Sequence, residues 1–488
     1  MKKIQELHPQ EIWKYFHQIT QIPRPSKKEE KIIQYLVDFA QEHHLEADLD
    51  SVRNMVIRKP ASPGMENLPV IVLQSHLDMV CEKNNDIEHN FEVDPINAYI
   101  EDDWVKAKGT TLGGDDGIGI AASLAILASK NIEHGPLECF FTVDEETGMS
   151  GAFGLQPGFL KGKTLLNLDS EDEGELFIGC AGGMDTEASL IYKNENVPAS
   201  YYACKISVFG LNGGHSGDDI NKGLGNSNKI LINFLHIISE KTDLRLSEFN
   251  GGNLRNAIAR EAWAVVCIPS SDKELIRKEL NIYTANVQEE FKDTEKYLNL
   301  DLGTIPSPEF VIDKTSQSQL FKSLLNCPHG MIEMSKSIEG LVETSTNLAS
   351  VKFAKNNHII IATSQRSSNS AALKNIANKV GLNFTSNGAS IKHTDGYPGW
   401  NPKLDSEILK VAEKSYLKLF GEKPKVKAIH AGLECGLFLT KYPYLDMVSF
   451  GPTIKGAHSP DERMEIKSVQ KFWDLLIEIL KSANEIKV

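Results

Sequence analysis

Five short stretches of this sequence concentrate histidine and carboxylate side chains. They are Ser75-His76-Leu77-Asp78, Gly113-Gly114-Asp115-Asp116-Gly117, Val143-Asp144-Glu145-Glu146-Thr147-Gly148, Asn167-Leu168-Asp169-Ser170 and Gly456-Ala457-His458-Ser459-Pro460. Imidazole nitrogens with carboxylate oxygens suit zinc, manganese or cobalt, whereas an all-oxygen set suits magnesium or calcium. Two histidines and three carboxylates can hold two such ions about 3.5–4 Å apart when one carboxylate bridges them. Such a pair polarises a scissile carbonyl and acidifies a water between the ions. A further carboxylate can take the proton of that water and pass it to a leaving amine. Adjacent Glu145 and Glu146 fit a base and a ligand, because neighbours in an extended turn point to different sides. Asp78, two residues after His76 on an extended segment, faces the same side and can hold the second imidazole nitrogen.

Taken singly, these stretches have plainer readings. A lone histidine is usually a hydrogen-bonded surface or core residue, and the acidic runs 144–146 and 169–173 read as solvated loops. Gly113 to Gly119 could be a tight turn opening a helix or part of a phosphate loop. It is a poor phosphate loop, since Asp115 and Asp116 would face the phosphates and there is no P-loop lysine. What favours one site is a shared address. All five stretches sit beside strand-like segments, and in α/β sheets ligands bind beyond the carboxyl ends of strands.

The elements that must position them follow from apolar spacing. The first 45 residues read as two helices, one starting at Pro9 with Ile12, Trp13 and Phe16 on its apolar face. The second follows Ser26 and Glu29, which are spaced as a capping box. Val70 to Leu73, Leu137 to Val143 and Thr164 to Leu168 read as buried strands, with a helix over Gly117 to Ser129. A strand over Asp446 to Phe450 and a helix over Ile466 to Ala483 return to the same layer. Strands alternating with helices predict an α/β domain.

Between about Leu190 and Ser390 the texture changes to α+β. Strands are expected at Cys204 to Phe209, as two short pieces within Arg255 to Ile268, around Thr346 to Phe353, at His358 to Thr363 and at Asn383 to Ser386. Helices are expected at Asn226 to Ser239, Ser271 to Phe291, Ser316 to Leu325 and Ser370 to Val380. The second half repeats the order of the first, as a doubled α+β unit would. The expected division is 1–188 and 395–488 for a catalytic domain, with 189–394 inserted.

Composition bounds the function classes. The 488 residues are 41% hydrophobic and 24% charged, with a net charge of −14, values of an ordinary globular protein that repels nucleic acid and anionic membranes. Seven cysteines, Cys81, Cys139, Cys180, Cys204, Cys267, Cys327 and Cys435, are scattered with no CxxC pair, so neither a disulfide framework nor a zinc ribbon is expected. The first residues carry no apolar signal core. The longest helix-like uncharged run, Gly117 to Ser129, is too short for the ~20 residues of a membrane span. A cytoplasmic location is the expectation.

Beyond chemistry and spacing, the runs SHLDMV, TTLGGDDGIGIA, DEETGMSGAFGLQ, NLDSEDEGELFIGCAGG, GLNGGHSGDDI, GGNLRNAIAREA, HAGLECGLF and GAHSPDERM resemble the aminoacyl-histidine dipeptidases. These are bacterial cytosolic enzymes of the carnosinase and acetylornithine-deacetylase superfamily of metallopeptidases. The likeness spans nearly the whole chain, with the motifs in the family's order. It implies a two-domain α/β protein, an α/β/α layered catalytic domain of the zinc-exopeptidase kind with an inserted α+β lid. It implies two divalent ions, with His76 and Asp169 on one, Glu146 and His458 on the other, and Asp115 bridging. Glu145 would be the general base and Asp78 would orient His76. On the lid, His215 would stabilise an oxyanion, while Asn256 and Arg366 would contact substrate, with Arg255 and Arg260 as other candidates for the carboxylate. Glu434 would face the substrate amine or serve structurally at the opening of a helix. The implied substrates are dipeptides with a free N-terminus, those ending in histidine among them, and lids of this superfamily often pair two subunits as a homodimer, whereas a doubled lid could supply the same contacts within one chain.

Overall fold

The computed structural model describes residues 3–486 other than 85, 218 and 337. It comprises two compact units, one of Met1–Gly179, Trp400–Ala428 and Leu433–Val488, the other of Cys180–Gly399 and Ile429–Gly432.

The first unit is built on an eight-stranded sheet ordered Glu46–Leu49, Met55–Lys59, Leu137–Thr142, Ile71–His76, Thr164–Asn167, Asp446–Ser449, Glu175–Cys180, Lys425–Ile429. Leu137–Thr142, Ile71–His76, Thr164–Asn167 and Asp446–Ser449 run parallel at its centre. Every residue of the first three is buried, because helices cover both faces of a parallel layer and make its strands apolar throughout. That continuous apolarity is what made them legible. Helix Gly114–Ala128 is likewise apolar on all sides and buried from Gly117 to Leu127, whereas Ile466–Lys481 buries one stripe through Val469, Phe472, Leu476 and Ile479.

A second, four-stranded sheet joins Ile454–Lys455, Arg463–Glu465, Trp104–Ala107 and Ala98–Glu101. Its register sets Arg463 opposite Lys106, Met464 opposite Val105 and Glu465 opposite Trp104. The hairpin whose turn spans 456–462 is thereby fastened to the strand that leads into Gly113–Asp116.

The other unit carries an antiparallel sheet ordered Asn299–Thr304, Tyr201–Phe209, Ala262–Pro269, Arg245–Gly251, Val342–Ala354, His358–Ser367, Gly182–Ile191, Ser390–His393, with Gly330–Met334 pairing alongside Val342–Ala354. Helices Ser227–Ser239, Lys273–Glu290, Lys314–Asn326 and Ser370–Ser386 pack on it through one apolar cluster that includes Phe234, Leu280, Leu324 and Phe384 against Ile206, Phe249, Val266 and Ile361.

Three expectations are corrected here, and one strand that was not expected is added. Asn383 to Ser386 is not a strand: it ends helix Ser370–Ser386, because buried Phe384 continues the helical face of Leu373, Ile376, Ala377 and Val380. The strand lies at Ser390–His393. Only Ala262–Pro269 is a strand within the 255–268 region. Before it, the chain is irregular and its carbonyls are satisfied from outside, Arg255 and Ala257 by the Asn347 side chain and Ala259 by the Ser227 N–H. Arg245–Gly251 is a strand that its mixed composition hid. Finally, Ser26 and Glu29 form no capping box at helix Glu30–Glu42. Ser26 donates instead to Asp78 Oδ2 at 2.7 Å, and Glu29 Oε1 accepts from the Asp144 N–H at 3.0 Å.

Candidate metal centre

Topology accounts for the convergence. His76 is the last residue of its strand, Glu145 and Glu146 follow Leu137–Thr142, and Asp169 follows Thr164–Asn167. All three positions lie at the carboxyl edge of the parallel strands. Asp115 arrives from the non-helical opening of Gly114–Ala128, and His458 from the hairpin turn after Ile454–Lys455.

The structure brings all five proposed ligands together. His76 Nε2 lies 2.9 Å from Asp115 Oδ1 and 3.3 Å from Asp169 Oδ1. His458 Nε2 lies 3.1 Å from Asp115 Oδ2 and 3.1 Å from Glu146 Oε2. Each oxygen of Asp115 thus addresses a different histidine, and each histidine has its own second carboxylate. Asp116 turns away, its two oxygens accepting from the N–H groups of His76 and Gly119 at 3.2 and 3.1 Å. Glu145 and Glu146 can supply donor atoms within one small cluster with His76.

Asp78 organises this cluster from below. Its Oδ1 accepts from the Glu145 N–H at 3.0 Å and lies 3.5 Å from His76 Nδ1, while Oδ2 accepts from the Glu146 N–H at 3.1 Å. Burial would raise this carboxyl, but hydrogen bonding with His76 and Ser26 and from the Glu145 N–H holds it down at about 2.

The electrostatics call for a cation. Burial pushes His76 down, yet Asp169, Asp115 and Asp78 carry it well above the ordinary imidazole range. Hydrogen bonds to Asp115 and Glu146 lift His458 to about 11. Burial, with the other acids adding to it, raises Asp169 to about 7 and Glu145 well above the usual carboxylate range. Glu146 Oε1 is buried with no hydrogen-bond partner among the described residues. Crowded acids, two imidazoles and an unsatisfied buried oxygen fit divalent metal ions, against which carboxylates ionise and imidazoles stay neutral.

Two supports of the centre went unnoticed in the sequence. Buried Arg24 donates to the carbonyl oxygens of Leu77, Asp78 and Gly113, tying the His76 strand end to the Asp115 turn. A Cβ at Gly113 or Gly117 would come within 2.7 or 2.8 Å of this guanidinium, so a side chain at either would push it off its carbonyl partners. Buried Glu462 accepts from the N–H groups of the same turn. The available signals were the two prolines around Arg24 and a carboxylate four residues after His458.

Of the expected substrate residues, His215, Asn256 and Arg366 belong to the second unit and Glu434 to the first. In the second unit, half-buried His215 donates its N–H to Asp219 at 2.6 Å, and Arg366 Nη2 stands 3.5 Å from His215 Nε2. Arg366 is 7% exposed and also reaches Ser216 and Tyr397. Among the described residues no carboxylate pairs with it, whereas Arg255 is exposed and paired with Asp185. Exposed Asn256 and His215 help line a cavity of about 810 Å³ in this unit, with Arg260, Trp263 and Lys352. Glu434 lies inside the first unit with no exposure, its Oε2 accepting from Gln74 at 2.7 Å and Thr142 at 2.6 Å. Burial raises it to about 8.

Comparison with known proteins fits this geometry. The model of peptidase family M20/M25/M40 matches residues 72–482. The chain belongs to that family. As a member of M20/M25/M40 it is a peptidase, and the family's divalent-metal requirement matches the donor groups at the strand ends. It is 44% identical to the cytosol non-specific dipeptidase of Escherichia coli (strain K12) over 487 residues, 99% of each chain. The crystal structure of an aminoacylhistidine dipeptidase from Vibrio alginolyticus superimposes with a TM-score of 0.89 at 44% identity, covering 99% of this chain and 98% of that one. The aminopeptidase PepT of Bacillus cereus shares the fold, with a TM-score of 0.64 at 16% identity over 98% and 99% of the two chains.

Proposed function

We propose that this M20/M25/M40 peptidase is a dipeptidase acting on peptides with a free N-terminus, Xaa-His among them, and that it works with two zinc ions. The observation that carries the reading is Asp115, whose two oxygens stand 2.9 and 3.1 Å from two different histidines. Asp169 with His76 would hold one ion, Glu146 with His458 the other, and Asp115 both. Bound there, the ions would polarise the scissile carbonyl and acidify the attacking water. Names of relatives that act on dipeptides support the substrate class.

The chain's own residues supply the rest. Glu145, held by its backbone on Asp78, takes the proton of the attacking water and returns it to the leaving amine. Asp78 fixes the tautomer and tilt of His76 by facing Nδ1. Arg366, a buried guanidinium lacking a carboxylate partner among the described residues, is assigned the terminal carboxylate of the peptide. His215 is assigned its carbonyl oxygen, as a donor to developing negative charge, and Asn256 a polar contact beside it. A cytosolic location and a homodimer belong to the same proposal. No helix among the described residues is long and apolar enough to cross a membrane, and sedimentation velocity distinguishes one copy from two.

A panel of Ala-His, β-Ala-His, other dipeptides and N-acetyl amino acids, assayed on metal-stripped protein with zinc, manganese or cobalt restored, tests this reading. Metal-dependent cleavage of free dipeptides is expected. Turnover of the N-acetyl compounds alone would instead make the protein a deacetylase.

A further inference from the structure

We infer that Glu462 is a positioning residue for the metal centre, setting how far His458 stands from Asp115. The inference rests on the two-ion reading above. Glu462 is 2% exposed, and its oxygens are taken up by consecutive backbone donors. Oε2 accepts from the N–H groups of Leu112 at 2.7 Å and Gly113 at 3.0 Å, and Oε1 from Gly114 at 2.7 Å and Asp115 at 3.5 Å. Helix Gly114–Ala128 begins here without a side-chain cap of its own. Its orphan N–H groups are therefore satisfied by a carboxylate from the far end of the chain, which also suits the positive end of the helix.

The same short turn presents both Glu462 and His458, and it is closed on itself. Ser459 Oγ donates to the Gly456 carbonyl at 2.7 Å and accepts from the Asp461 N–H at 3.2 Å, while the Glu462 N–H bonds the Ser459 carbonyl at 3.0 Å. His458 takes a left-handed φ of 62° within it. One end of this turn holds the backbone of Asp115 and the other aims an imidazole at its side chain, 3.1 Å away. A shift of the carboxylate must move the turn, and with it the ligand. The strand pairing of Arg463 with Lys106 fastens the base of the hairpin, and Glu462 ties its tip to the backbone of Leu112 to Gly114.

Glu462→Gln tests the inference, since an amide keeps the shape but turns one acceptor into a donor facing N–H groups. Metal-free protein is titrated with zinc against a chromophoric chelator, and wild type is expected to take up two ions. The variant should bind one of them about 10- to 100-fold more weakly, the scale of lost outer-sphere support, with the other within a few-fold. Added to His458→Ala, which lacks that ion already, Glu462→Gln should leave the remaining affinity unchanged. Equal weakening of both ions, or no weakening, overturns the inference while the two-ion reading stands. Wild type that takes up fewer than two ions overturns both. If circular dichroism shows that Glu462→Gln does not fold, Ser459→Ala loosens the same turn without touching a buried charge. It should then weaken the same ion by a few-fold, and an unchanged affinity overturns the inference.

Discussion

Asp78→Asn is the substitution whose cost can be worked from the structure most directly. Four groups converge on this carboxylate, which has no exposure: the Glu145 N–H and His76 Nδ1 on Oδ1, and the Ser26 hydroxyl and Glu146 N–H on Oδ2. An amide offers one acceptor oxygen. With its nitrogen on the Oδ2 side, Ser26 can rotate to accept, but the Glu146 N–H then faces another N–H. The opposite orientation strands Glu145 and His76. Either way at least one buried bond to a charged acceptor is lost, about 1.5–3 kcal/mol, or roughly one to two decades in an equilibrium. The loss falls on the backbone of Glu146 or on His76, so metal affinity should carry it. Zinc competition titrations should show a 10- to 100-fold weakening, and urea unfolding of the metal-free variant a drop of about 2 kcal/mol. A variant that binds zinc like wild type and unfolds within about 0.5 kcal/mol of it would refute the hydrogen-bonding account of the centre.

Glu145→Gln should retain zinc yet lose about 10²- to 10⁴-fold in kcat, the share of a general base; near-normal turnover would remove Glu145 from that role. Arg366→Lys should raise KM for free dipeptides about 10- to 100-fold, the loss of a forked bond to a charged acceptor, and should not affect C-terminally amidated dipeptides; equal effects on both would show that Arg366 does not meet the carboxylate. His329, whose Nδ1 accepts from the Leu348 N–H, is pushed down to about 4 by burial and by Lys229. Between pH 6.5 and 4 the unfolded chain holds a proton on this ring that the native protein does not, so stability is full above that window and falls as pH drops through it. Urea unfolding of metal-free wild type should lose about 2 kcal/mol more than His329→Gln between pH 7 and 4.5; parallel curves would contradict this.

The convergence of His76, Glu145, Glu146 and Asp169 was legible because these residues sit where apolar strands stop. Runs such as Val70 to Leu73 announce buried parallel strands, and the motif that follows each lands at the same sheet edge. The small sheet that delivers His458 was not legible, since Ile454–Lys455 and Arg463–Glu465 are too short and mixed to carry a period. Arg24, Ser26, Glu29 and Glu462 escaped for another reason. They act on backbone groups remote in sequence, and local spacing encodes no such partner. Ser26 and Glu29 even imitated a helix cap, a local pattern overridden by tertiary hydrogen bonds. The irregular 253–260 segment failed similarly, its carbonyls being satisfied by the Asn347 side chain and by the Ser216 and Ser227 N–H groups rather than by a paired strand.

The strand Asp446–Ser449, seated between Thr164–Asn167 and Glu175–Cys180, gives biosynthesis an order of events. A nascent polypeptide interrupted before residue 446 would carry every segment of the antiparallel sheet, yet would leave a slot in the parallel one and present no second histidine to Asp115. Late closure of so long a loop is slow relative to local folding. Hydrolytic competence should therefore arrive only after residue 458 has been added, and products truncated before it should be inert toward peptides.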